Sequence, residues 1–159
     1  MLGLLLRTAW LLCALVGFAT MGPLRAQDDV PLPIESVVLE SAEGGYLIAA
    51  EVASSPRQRE RGLMFRHRLP PDRGMLFIYE RPQALAMWMR NTYISLDMIF
   101  IGAGGLIYHI EKNTKPLSEA IIGPPGEGIG VLEVAAGTAD RIGLAVGDKI
   151  IHQAFDQLP

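Results

Sequence analysis

Beyond residue 26 the apolar residues of this chain alternate with polar ones in segments too short for helices, and each segment runs into a turn. Val37 to Ser41 and Tyr46 to Ala53 flank Glu43-Gly44-Gly45, a turn that joins two strands into a hairpin. Met75 to Tyr79, Leu85 to Thr92 and Leu96 to Ile101 continue the pattern. Leu106 to Glu111, Gly130 to Ala135 and Lys149 to Phe155 complete it, with Gly102-Ala103-Gly104-Gly105 and Gly123-Pro124-Pro125-Gly126 as turns between. Two segments break the period. Ser54-Ser55-Pro56 supplies a capping serine and a proline at the first helical position, so a short helix runs from there to Leu63. Thr138 to Ile142 fits a single helical turn. A strand with period two buries one face, and about eight such strands must stack or curl to cover it. The expected fold is mainly β: a β-sandwich or partly open barrel of about eight short strands, with one or two short helices. Residues 36–156 hold it as one domain.

The first 26 residues belong to another category. Arg7 is the only charge before Arg25, Thr8 to Ala19 is apolar, and small residues lead towards Ala26. A basic start, an apolar middle and a small residue before the cut make a secretory signal over residues 1–26. The alternative is a retained anchor, because Thr8 to Leu24 reaches the short limit of ~17–25 residues for a membrane span. The expected location is periplasmic or secreted, with membrane contact only through this segment if it stays uncut. Residues 27–35 carry Asp28, Asp29, Pro31 and Pro33 and read as a flexible acidic linker. Cleavage leaves twelve basic against seventeen acidic residues, a net charge of −5, and removes Cys13, the only cysteine. The remaining domain therefore has no disulfide, thiolate nucleophile or zinc-thiolate site, and no cofactor is expected. An exported acidic domain is a poor partner for nucleic acid.

Chemistry-bearing side chains concentrate in Met87-Trp88-Met89-Arg90-Asn91-Thr92 and in Leu96-Asp97. Arginine is crowded too: eight fall between Arg57 and Arg90 against three acids, Glu60, Asp72 and Glu80. Such a face suits an anionic envelope component or a small anionic ligand, although charge runs usually only solvate a surface. Aromatic, amide and guanidinium groups together make a recognition mixture without an obvious nucleophile. The cleft candidates are Arg61, Arg66, Trp88, Arg90, Asn91, Thr92, Asp97 and Glu133. Two rival readings stand beside this one. Asp97 and Glu133 are interior acids that could share acid–base work in a hydrolase or lyase. Met87 and Met89, with His67 nearby, could hold Cu(I) as soft ligands, but methionine in an apolar strand is usually packing. Glu133, between Leu132 and Val134, is costly to bury alone, so it is expected to pair with Arg61, or else with Arg90. Gly126-Glu127-Gly128-Ile129-Gly130 lacks the strand before and the helix after that a phosphate loop requires. Gly147-Asp148 reads as a structural turn into the last strand.

Several of these stretches, taken in order, resemble the prokaryotic domain-of-unknown-function family 192. They are Arg61-Gly62-Leu63-Met64 with Arg66 and Leu69; Gly74-Met75-Leu76-Phe77; and Trp88-Met89, Asn91-Thr92 and Leu96-Asp97. Val131-Leu132-Glu133, Ala136-Gly137, Gly143 and Gly147-Asp148 close the series. The resemblance spans about Glu51 to Ala154. Met87 stands where the family usually has an aromatic, and Ser95 where it usually has proline. The resemblance implies a mainly β fold of sandwich or barrel type and no assigned reaction, substrate or cofactor. The resulting expectation is an exported, non-enzymatic ligand- or envelope-binding domain.

Overall fold

A computed structural model describes residues 31–156; the expected signal segment and residues 27–30 of the linker lie outside the described residues. The fold is mainly β, built on one seven-stranded sheet curled into a half-barrel. Its strands are β1 (Ile34–Ser41), β2 (Gly44–Ala53), β3 (Arg73–Gln83), β4 (Leu96–Ile101), β5 (Ile107–Glu111), β6 (Gly128–Ala135) and β7 (Lys149–Ile151). Two short helices, α1 (Pro56–Arg61) and α2 (Thr138–Arg141), accompany it. The strand order is β5-β4-β6-β3-β2-β1-β7. Every pairing is antiparallel except β2 with β3. A parallel pair needs a crossover, and α1 with the loop after it supplies one.

The alternation of apolar residues puts a core on each face of this sheet. Val37, Leu39, Ile48, Leu76, Ile99, Leu132, Val134 and Ile150 pack on one face, closed off by Ala139, Ile142, Leu144 and Phe155. All seven strands contribute to this cluster, which marks it as the concave side. Met75, Phe77, Met98, Phe100 and Val131 lie on the other face, beneath Leu63, Leu85, Met87 and Met89 from the connecting segments. The two ends of the curled sheet meet at one corner. Leu106 bridges Lys149, the Ile107 amide donates to Asp148 O at 2.9 Å, and the Gly147 amide donates to Ile107 O at 2.9 Å. Gly105 makes this approach possible: at φ 82°, a Cβ there would lie 2.3 Å from the Ile150 carbonyl oxygen. Of the two expected architectures, the partly open barrel is the one that forms.

Several expected boundaries need correction: β3 and β6 are longer than expected, α1 ends at Arg61 short of Leu63, and four more changes have specific causes. Leu85 to Thr92 is not a strand. It alternates, but only Met87 bridges, to Ile122, and the chain turns at Asn91 (φ 55°) with the Thr92 amide donating to Met89 O. The strand from Lys149 stops at Ile151, because His152 Nδ1 accepts from the Ala154 amide and caps a 3-10 turn over Gln153–Phe155. β1 begins at Ile34, inside the segment expected to be linker, since the Val52 amide already reaches Pro33 O at 2.8 Å. The hairpin turn is Ala42-Glu43, with Gly44 and Gly45 already in β2.

Candidate functional site: a cleft over the convex face

A cleft of about 290 Å³ opens where the β2–β3 crossover and the segment before β4 arch over the convex face. One wall is α1 and the turn after it, with Arg59, Arg61 and Gly62. Ser55 builds that wall. Its hydroxyl accepts from the Gln58 amide at 3.3 Å, and Gln58 Oε1 accepts from the Ser55 amide at 2.9 Å, a reciprocal cap that starts the helix. Gly62 ends it at φ 46°, ψ −138°, and a Cβ there would sit 3.2 Å from the Phe77 ring, inside the cleft. The opposite wall is Ala86, Trp88, Arg90 and Thr92. In this segment Leu85, Met87 and Met89 point down into the core, so Trp88 and Arg90 are left at the mouth. Phe77, Tyr79 and Glu133 lie below.

Glu133 is the unusual group. It is 4% exposed and sits in register between Met75 of β3 and Met98 of β4, so its lateral neighbours are thioethers. Among the described residues no cation pairs with it, and burial pushes its carboxyl up from 4.5 to about 8. At neutral pH it is a carboxylic acid, a donor as well as an acceptor. The expected pair with Arg61, or with Arg90, is not formed. Arg61 and Arg90 are both exposed at the mouth, and Arg90 stacks over Trp88 at 5.5 Å. Tyr79 lies close by. Burial raises its phenol, the Arg59 charge lowers it and the Glu133 carboxyl raises it. Its hydroxyl lies 4.0 Å from Met87 Sδ, and Arg59 lies over its ring at 4.6 Å while donating to Ser54 O and Ile78 O.

The other sequence candidates divide. Thr92 lines the cleft with its hydroxyl on Arg90 O at 3.2 Å. Asn91 braces the wall: its amide nitrogen is 3.9 Å from Met64 Sδ and its carbonyl accepts from the Phe65 amide. Arg66 does not line the cleft. It makes a bidentate pair with Glu51, both contacts 2.6 Å, and so pins the crossover to β2. Asp97 does not line it either. Register pairs Asp97 with Val134 and Met98 with Glu133, so the carboxylates of Asp97 and Glu133 project from opposite faces of the sheet. Asp97 is fully buried, accepting from the Asn113 and Ala139 amides at 2.9 Å each. The two acids therefore cannot serve one substrate, which removes the hydrolase or lyase built on them. The copper grouping is not assembled: Met87 and Met89 are buried in the core, whereas His67 is exposed and stacked on Tyr93 at 5.0 Å. Asp148 Oδ2 accepts from the Ala145 amide at 2.8 Å, with Gly147 at φ 96° beside it, far from the cleft wall. Arg59, Tyr79 and Glu51 escaped sequence reasoning; for Glu51, an acid in the apolar alternation of β2 was the available signal.

A mainly β half-barrel with a cleft over its convex face, walled by a glycine-ended helix and a Trp–Arg segment, defines the class. The chain belongs to the DUF192 family (Uncharacterized ACR), whose profile matches residues 37–152. It is similar to a solved structure from Sinorhizobium meliloti 1021, described provisionally as a transcription regulator. That likeness has 42% identity and a TM-score of 0.77, over 79% of this chain and 98% of the other. A protein of unknown function from Novosphingobium aromaticivorans DSM 12444 is 35% identical with a TM-score of 0.74, over 76% of this chain and 86% of that one. The comparison with curated proteins gave no match.

Proposed function

We propose that this is an exported, non-enzymatic binding domain whose cleft takes a small anionic ligand of the cell envelope. The observation that carries the reading is that Arg61 and Arg90 line the cleft while neither forms an ion pair with a carboxylate among the described residues. An exposed guanidinium beside an indole is a ready counterpart for an anion that carries an apolar body. Trp88, 38% exposed, offers that body a flat surface. The cleft lining holds no Ser, Cys, Lys or His, and its one aliphatic hydroxyl, on Thr92, bonds Arg90 O with no imidazole or amine beside it to activate it, which favours binding over catalysis by a hydroxyl or thiol. The transcription-regulator description of the S. meliloti relative transfers poorly, because the α-helices among the described residues span six and four residues, too short for a groove-reading helix.

The test is a thermal-shift titration with glucuronate, glycerol 3-phosphate and muramyl dipeptide, three envelope anions of different shape. At least one is expected to raise the melting temperature, with the shift lost in an Arg61→Ala, Arg90→Ala double variant. Equal shifts in both proteins would remove the cleft reading. Export rests on residues 1–26 and is checked separately. The mass of the protein recovered from the periplasm should correspond to a start at Gln27, and a full-length chain in the cytoplasm would defeat the localisation.

A further inference from the structure

The mouth and the floor of the cleft ask for different chemistry. At the mouth are Arg61 and Arg90, with Glu60 the one acid among the lining residues there and Arg59 held on backbone carbonyls. At the floor is a carboxyl that shares the lining with Phe77, Leu63 and Met87, with Tyr79 nearby, and that has no hydrogen-bond partner among the described residues. A buried polar group without a partner is costly, and a ligand that satisfies it recovers that cost. Resting on the cleft-as-binding-site reading, we propose that the ligand is a small bifunctional organic acid: its carboxylate is held by Arg61 and Arg90, and an accepting oxygen at its far end, a carbonyl or carboxylic acid, meets the Glu133 carboxyl on the floor in a hydrogen bond.

Three observations favour an accepting oxygen over a cation at the floor. Beside Glu133 are Tyr79 on β3 and Met98 on β4, and the charged groups that share the cleft with it are Arg59, Glu60 and Arg61 on α1 and Arg90 on the opposite wall. Positive charge outnumbers negative among them, so an ammonium group would have to pass arginines to reach the floor. The other acids in the same cross-strand row have company that Glu133 lacks: Glu51 is held by Arg66, and Glu111 is half-exposed to water with His109 at 3.5 Å. Finally, burial keeps the Glu133 proton on at neutral pH, which makes the group a donor. A neutral acid that donates from an apolar floor is an established way to grip an oxygen.

The inference is tested with two probes of similar size, 4-acetylbenzoate and 4-(aminomethyl)benzoate, titrated by calorimetry at pH 6 and pH 9.5, with benzoate as reference. Both offer a carboxylate to the arginines and a ring to Trp88, and they differ only at the end that meets Glu133. The expected result is that 4-acetylbenzoate binds more tightly than benzoate at pH 6 and loses at least about tenfold by pH 9.5, as the donor ionises. Glu133→Gln keeps a donor without a titration, so its affinity should be retained and flat with pH, whereas Glu133→Leu should fall to the level of benzoate. Tighter binding of 4-(aminomethyl)benzoate, growing with pH and lost in Glu133→Gln, would overturn the inference while leaving the cleft as a binding site. A flat pH profile in the wild type, or no advantage of 4-acetylbenzoate over benzoate, overturns it as well. The wild-type pH series decides the matter even if the variants do not fold.

Discussion

Glu133 links the cleft to stability. Unfolded, its carboxyl gives up a proton near 4.5; folded, it holds the proton to about 8. Between those values unfolding releases a proton, so stability falls as pH rises through that window and levels off above it. The slope is about 1.4 kcal/mol per pH unit for one such group. Glu133→Gln removes the titration. The difference in unfolding free energy between variant and wild type, from urea denaturation at pH 5 to 9, should therefore move steadily in the variant's favour and then hold constant. A difference that does not change with pH would show that Glu133 ionises normally. Asp97 behaves oppositely. It is a structural acid satisfied by two amides, and Asp97→Ala leaves the buried Ala139 amide unmatched, at about 1–3 kcal/mol, while the amide of the exposed Asn113 can turn to water. A fall of that order in urea stability with the cleft affinity unchanged is the expected outcome. Both acids stood out in the sequence as interruptions of apolar strands. What the sequence did not carry was which face each occupies, because that depends on cross-strand register. Nor did it carry the space above Glu133, which keeps Arg61 from closing on it.

At the level of elements, the cleft is walled by connections and floored by strands. α1 was legible because its signals are local: a capping serine, proline after it, and Gln58 placed to reach back. Ser55→Ala removes one half of that reciprocal cap and should cost about 1 kcal/mol. It should also loosen the Arg61 wall, so protease cleavage near Arg61 is expected to quicken before global unfolding does. Unchanged stability and cleavage would mean that Gln58 alone holds the helix start. The opposite wall was misread as a strand because its alternation is real: Leu85, Met87 and Met89 do point inward. Alternation reports which side faces the core, not whether a neighbour offers a ladder, and here only Ile122 does. Ser95 is a similar lesson. It stands where the family usually has proline, and its hydroxyl donates to Thr114 O at 2.7 Å and ties the entry of β4 to the segment after β5, a bond that proline could not make.

For the whole molecule, the decisive contact is the corner where β5 meets β7. The sequence offered sandwich and barrel alike, since both bury alternating strands; a glycine-rich turn does not announce that its backbone will touch a strand forty-five residues later. Gly105→Val should put a side chain against the Ile150 carbonyl and part that corner. Hydrogen exchange is expected to quicken at Ile107 and Gly147, whose amides bond across it, while amides shared by β3 and β6 stay protected. Uniform loss of protection would mean that the corner is not a separable unit. The same corner orders events during synthesis. β1 is among the first strands made and one of its neighbours, β7, among the last, so its outer edge stays open while the intervening residues emerge from the ribosome. An open edge is a template for pairing with another chain. Val38, Leu39 and Glu40, the residues that β7 eventually covers, are thus the place where a half-made molecule is most exposed to its neighbours, and three residues near the far end of the chain close that window.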